Sequence, residues 1–226
     1  MKSYYFLFDS LAYMNSALLL FYAIMSIQLF KKNKNNVLKI IAFYLLFSCF
    51  FDLTSQVVSK FLIPEVFSST IFLSILYRLG ELIIIGFLIN KVWLKSNLIW
   101  MLIGTSALYL IYDLFTYRDN GILNYVAYAQ ITANVLLIFI VVFNLLKQLQ
   151  SSKSFSVTNQ MLSMVFLAYF AIHLIYTVIS NFIINQNYSN QSFVLFYCSY
   201  AILHIIYYFA LAFIVYKKSK KSLIKN

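Results

Sequence analysis

The chain has 226 residues, 63% of them hydrophobic, 19% aromatic and only 10% charged, with 17 Lys and Arg against 6 Asp and Glu and a net charge of +11. Soluble domains run near half apolar and a quarter charged, so this composition excludes a soluble enzyme, a nucleic-acid module, a coiled coil and a disordered protein. The bilayer must be its solvent, and the excess Lys belongs to the ends of apolar runs rather than to a nucleic-acid partner.

A helix that crosses a bilayer needs about 20 mainly apolar residues. Seven such runs occur, at 4–30, 37–60, 68–90, 98–117, 123–146, 160–182 and 193–216, followed by a basic tail at 217–226. The connectors are short and carry turn formers, as in KKNKNN, RDNG and NQNYSNQ. The expected fold is all-α, one polytopic domain of seven transmembrane helices. The alternating ten-residue segments of a transmembrane barrel are absent. The first run is not expected to be a cleaved signal peptide, because it is too long for an h-region and no A-x-A site follows.

Basic residues set the orientation. Lys31, Lys32, Lys34 and Lys39 lie in loop one, Lys91 and Lys95 in loop three, and Lys147 and Lys153 in loop five. The tail adds Lys217, Lys218, Lys220, Lys221 and Lys225, so 13 of the 17 cations fall on one side. That side is the cytoplasm by the positive-inside rule, with the N-terminus outside and the C-terminus inside. The preference for Lys over Arg, with frequent Asn, Ile and Phe, points to an AT-rich bacterial genome and hence a multi-pass protein of the inner membrane.

Polar residues recur at helical spacing along several runs. The second run carries Ser48, Asp52, Ser55, Gln56 and Ser59, and the third Ser74, Tyr77, Arg78 and Glu81. The fourth carries Thr105, Tyr109, Tyr112, Asp113 and Thr116; the sixth Tyr169, His173, Tyr176, Thr177 and Ser180; the seventh Tyr197, Tyr200, His204, Tyr207 and Tyr208. Lipid satisfies none of these groups, so each stripe is expected to face the bundle interior. At 1.5 Å per residue, Asp52, Asp113 and His173 fall roughly 5–10 Å below the outer surface. Arg78, Glu81 and His204 fall roughly 14–18 Å down, near the midplane. The inner half reads as almost wholly apolar, which describes a pocket open to the outside. Its expected ligand-binding residues are Asp52, Arg78, Glu81, Asp113, His173, His204, Tyr200 and Tyr207. Arg78 and Glu81, three apart on one helix, read equally as a structural pair that neutralises itself or as the charged heart of the site.

A weak internal echo runs through the chain. FFDLTSQVVSKFLIP from Phe50 parallels AIHLIYTVISNFIIN from Ala171 and sets Asp52 opposite His173. Parallel repeats of three helices joined by the fourth, a 3+1+3 plan, would produce that match.

No CxxC, HExxH, Walker or GxGxxG pattern occurs, and both Cys lie in apolar runs, which excludes a disulfide scaffold or zinc ribbon. No catalytic residue, metal ligand or cofactor follows from the sequence, and nothing marks it as an enzyme. The run at 193–216 has no Lys, so a retinal Schiff base cannot form there. An intramembrane metal-dependent lipid hydrolase could use two His and several carboxylates. Against it, His204 stands alone where such enzymes carry paired His. A small-solute transporter fits the 3+1+3 echo but usually needs helices broken by Gly or Pro. Here the one Pro is in a loop and only Gly80 and Gly86 interrupt the third run.

The stretches FFDLTS (50–55) and LYRLGELIIIGFL (76–88), each placing an acid in its span, with seven helices and basic inner loops, resemble the seven-helix sensor regions of bacterial histidine kinases. No kinase or other output domain follows Tyr216 in this sequence. The resemblance therefore implies a stand-alone sensor or receptor-like module. Its partners would be the lipid bilayer and a membrane signalling protein or a second copy of the chain.

Overall fold

In the computed structural model of the chain, the described residues are 2–32, 35–61, 67–116, 126–150, 157–185 and 190–223. They form helices α1 (Lys2–Lys32), α2 (Asn36–Phe61), α3 (Phe67–Phe87), α4 (Asn97–Thr116), α5 (Tyr128–Gln150), α6 (Val157–Asn185) and α7 (Asn190–Leu223). Seven helices among these residues are long and apolar enough to cross a membrane. The chain is thus all-helical and of multi-pass membrane type. The connectors that carry Lys34, Glu65, Asp119 and Lys153 lie outside the described residues.

Helix ends and the ends of the apolar runs differ at several places. The α-helical part of the third span stops at Phe87 and continues as a π-helical segment, Leu88–Leu94. The fifth helix begins at Tyr128 rather than at 123, because residues 126–127 form a non-helical lead-in with Tyr128 N–H bonded back to the Val126 carbonyl at 2.8 Å. α7 runs on through the basic residues after Tyr216 to Leu223, consistent with the good helix propensity of Lys.

Local chemistry explains where helices start. Asn35 caps α2 by accepting from the Val37 N–H at 3.0 Å, one of the donors a helix leaves unpaired at its start. The turn into α4 is built by Asn90, whose side-chain amide donates to the Ser96 carbonyl at 2.9 Å and accepts from the Ser96 N–H at 2.8 Å. Lys95 closes the π segment with a positive φ of 54° and an N–H bond to the Asn90 carbonyl at 2.6 Å.

The helices fall into two compact units, the first made of Met1–Leu53 and Phe182–Asn226, the second of Thr54–Asn181. In the first, α1 packs along α7, and the Tyr207 hydroxyl donates to that of Tyr44 on α2 at 3.3 Å. In the second, α3, α4 and α5 pack mutually. Gly86 permits the α3–α4 approach: a Cβ there would stand 2.8 Å from Ile103 Cδ1. On α5 the buried face mixes Ala129, Ala133, Leu137, Ile140 and Val141 with Gln130, Asn134, Asn144 and Gln148, while Val135, Phe139, Phe143, Leu146 and Leu149 are exposed. Lipid outside accounts for the apolar exposed residues, and Gln130, Asn134 and Asn144 find polar partners inside.

Candidate functional site

The second unit holds a buried polar centre. Arg78 and Glu81 on α3 are 2% and 0% exposed and form a salt bridge across one turn. They fall 7 and 10 residues into the apolar span Ile71–Leu94, roughly 10 and 15 Å deep. The other terminal nitrogen of Arg78 lies against the ring of His173 on α6, 3.2 Å from Nδ1 and closer to Nε2. Asn134 on α5 and Thr177 on α6 each place a polar atom 3.1 Å from His173 Nδ1. Tyr169 lies beside the imidazole with ring centroids 5.4 Å apart. Three helices meet at this one network.

One guanidinium nitrogen of Arg78 faces both ring nitrogens of His173, and Nδ1 also meets Asn134 Nδ2 and Thr177 Oγ1. That hydroxyl in turn donates to the His173 carbonyl at 2.9 Å. The Asn134 amide is oriented with Nδ2 toward Nδ1, leaving its buried Oδ1 without a hydrogen-bond partner. Arg78 and Glu81 offset each other's charge within the centre, as a water-excluded site favours.

The sequence expectations are met unevenly. Arg78 and Glu81 do pair in the interior. His173 joins them rather than sharing a shallower layer with Asp52 and Asp113. Counted along the apolar helices, Arg78 lies 7 residues after Ile71 and His173 7 residues before Ser180, matching distances from these span ends. Asp113 is half-buried on α4. The α4 stripe does not face inward: Thr105, Tyr109 and Tyr112 are exposed. The Thr105 and Thr116 hydroxyls bond to the Leu102 and Tyr112 carbonyls of their own helix, each at 3.0 Å, so these two need no interior partner.

The remaining candidates belong to the first unit. Asp52 is half-buried and accepts from Asn15 Nδ2 at 3.1 Å and from Ser16 Oγ, both on α1. His204 is flanked on α7 by the rings of Tyr200, at 4.4 Å, and Tyr208, at 5.9 Å. Tyr207 is buried against Tyr44, edge to face at 6.2 Å. Among the described residues, no group of three or more His, Cys, Asp or Glu could hold a metal ion.

Sequence reading missed the α5 seam. Gln130 bonds Ser74 on α3 at 3.2 Å, Asn134 bonds His173, and Asn144 Nδ2 donates to Ser163 on α6 at 3.0 Å. From Gln130 to Gln148 the seam runs about 27 Å, close to the thickness of a hydrocarbon core. Asn90, Asn144, Gln148 and Ser163 are all buried in the half expected to be apolar, so that expectation is wrong. The signal was present: offsets of 4, 14 and 18 residues from Gln130 return to one face of a helix. The amides are diluted by Leu and Ile, which hides them from a search for clustered charge.

No protein-family model, curated protein or solved structure matches this chain.

Proposed function

We propose that the chain is a bacterial inner-membrane sensor, orientated with its N-terminus outside, that detects a small ligand or proton and signals through a membrane partner. The observation that carries this reading is the buried Arg78–Glu81–His173 centre, a charge-balanced network joining α3, α5 and α6. Such a centre has two states of different charge. When a cationic group or proton takes Glu81, the Arg78 guanidinium loses its counter-ion inside a water-excluded site and must find another arrangement. A change in α3 packing then reaches the lysine-rich turn after Leu94, where a partner can read it.

Small-solute transport is the second reading, and the α5 seam favours it: buried amides continue through both halves of the unit. Two measurements separate the readings. In a deletion strain, wild type and folded Glu81→Gln are compared for restoration of the cellular response. In parallel, proteoliposomes are screened by solid-supported-membrane electrophysiology with small organic ions. Sensing expects failed complementation by Glu81→Gln and no solute-driven current in wild type. A saturable current that Glu81→Gln abolishes replaces sensing with transport.

A further inference from the structure

Two pairs of hydrogen bonds give the register of the helices around the buried centre. Near its start α5 meets α3, where Gln130 bonds Ser74 at 3.2 Å; near its end Lys147 donates from Nζ to the Leu94 carbonyl at 3.1 Å. Both contacts advance in the same sense, so α5 runs parallel to α3 and its π-helical continuation. Asn134 on α5 meets His173 on α6 at 3.1 Å, and Asn144 donates to Ser163 at 3.0 Å. Here the numbers run in opposite senses, so α5 and α6 are antiparallel. The two contacts are equally spaced on both helices, from 134 to 144 and from 163 to 173, about 15 Å of helix axis.

Polar groups are distributed unequally on the two sides of the centre. Toward the start of α5, Gln130 lies one turn from Asn134 and is bonded to Ser74, which is exposed. Toward the end of α5, the next polar side chain on its buried face is Asn144. Between the two α5–α6 contacts the buried side chains are Leu137, Ile140 and Val141 from α5 and Phe166 and Phe170 from α6, whose rings stack at 6.2 Å. Tyr169, on the same turn as Phe170, sets its ring against His173 and belongs to the centre. Ile85 on α3, between Glu81 and Asn90, falls at the level of these apolar residues by the parallel register. All six are 0% exposed. A buried water needs about two to four polar partners, and these six side chains offer it none, so water and the protons it carries are kept out.

We infer that Ile85, Leu137, Ile140, Val141, Phe166 and Phe170 form a hydrophobic gate that blocks water and protons between the Arg78–Glu81–His173 centre and the Asn144–Ser163 layer. The Ser74–Gln130 end is then the way in to the centre, and any passage across the unit requires this layer to open, as apolar constrictions gate by dewetting. The inference rests on the proposed function only in taking the centre as the place that a ligand or proton reaches.

The full chain is reconstituted in liposomes, a potassium diffusion potential is set with valinomycin, and proton entry is followed by a trapped pH-sensitive dye. Wild type should leak no faster than protein-free liposomes. Ile140→Thr/Val141→Thr places two hydroxyls in the gate and should speed proton entry by about tenfold for each, one hydrogen bond's worth of barrier. Val135→Thr/Val142→Thr, the same chemistry on the exposed face of α5, should leave the rate at the wild-type level. Adding Gln130→Leu to the opened gate should return most of the leak, because it closes the polar end. Thermal melting confirms that each variant is folded, and Val141→Thr alone, which keeps the shape of valine, serves if the double variant is not. A leaky wild type, a tight but folded gate variant, an equal leak from the exposed-face variant, or a leak unchanged by Gln130→Leu would each overturn the assignment. The assay needs no ligand and no cellular response, so its outcome is separate from the Glu81→Gln complementation that tests sensing.

Discussion

Removing one partner of the Arg78–Glu81 pair should cost far more than removing both. Both side chains are shut off from solvent, at 3% and 0% exposure, so neither charge can be rehydrated in place. Glu81→Gln leaves the guanidinium without its counter-ion, a loss of about 3–5 kcal/mol for a buried pair. Arg78→Gln removes the salt-bridge partner of the Glu81 carboxylate and also the donor to His173, adding roughly 1–2 kcal/mol. The double variant leaves two neutral amides, able to bond each other, and should be more stable than either single one. Unfolding by sodium dodecyl sulfate in mixed micelles, followed by intrinsic fluorescence, measures all four proteins. Single variants within about 0.5 kcal/mol of wild type, or losses that simply add in the double, would mean that the pair does not act as one buried unit.

Other changes test the scaffold around that centre. Asn90→Leu removes both bonds to Ser96 and strands a backbone N–H at the turn; a loss of about 1–3 kcal/mol is expected in the same assay. Gly86→Ala should destabilise by about 1–2 kcal/mol through collision with Ile103 Cδ1, and Ile103→Val, which deletes that atom, should recover most of it. At Gly104 no atom lies within 4 Å of an added Cβ, so Gly104→Ala should instead gain roughly 0.5–1 kcal/mol from helix propensity. A reporter fused after Asn226 should be active only in the cytoplasm and one at Asn187 only outside; a periplasmic signal from the C-terminus would reverse the orientation.

Charge in an apolar run was the most legible part of the candidate site. Arg78 and Glu81 stand out because a bilayer tolerates each poorly and because their spacing puts them on one helix face. Asn134 and the other α5 amides were harder to see, since a single amide among Leu and Ile is cheap enough to face several environments. Tyr109 and Tyr112 mislead in the opposite direction: polar spacing on α4 reads as an interior stripe, yet these side chains are exposed. Periodicity identifies a common face but not which neighbour, lipid or helix, that face meets.

Composition alone decided the all-helical, multi-pass character of this protein, because a backbone immersed in lipid must satisfy its hydrogen bonds within each segment. Run length likewise picked out seven helices long and apolar enough to cross a membrane. Tertiary structure decided what the spans do to one another. Only the tertiary structure brings His173 on α6 to Arg78 on α3, residues 95 apart in sequence. Only the turn geometry converts the end of α3 into a π segment, through a side-chain clamp six residues long that no helical period encodes. Local sequence sets how each helix forms, whereas partnership between helices depends on axial depth and rotation, which accumulate along the whole chain.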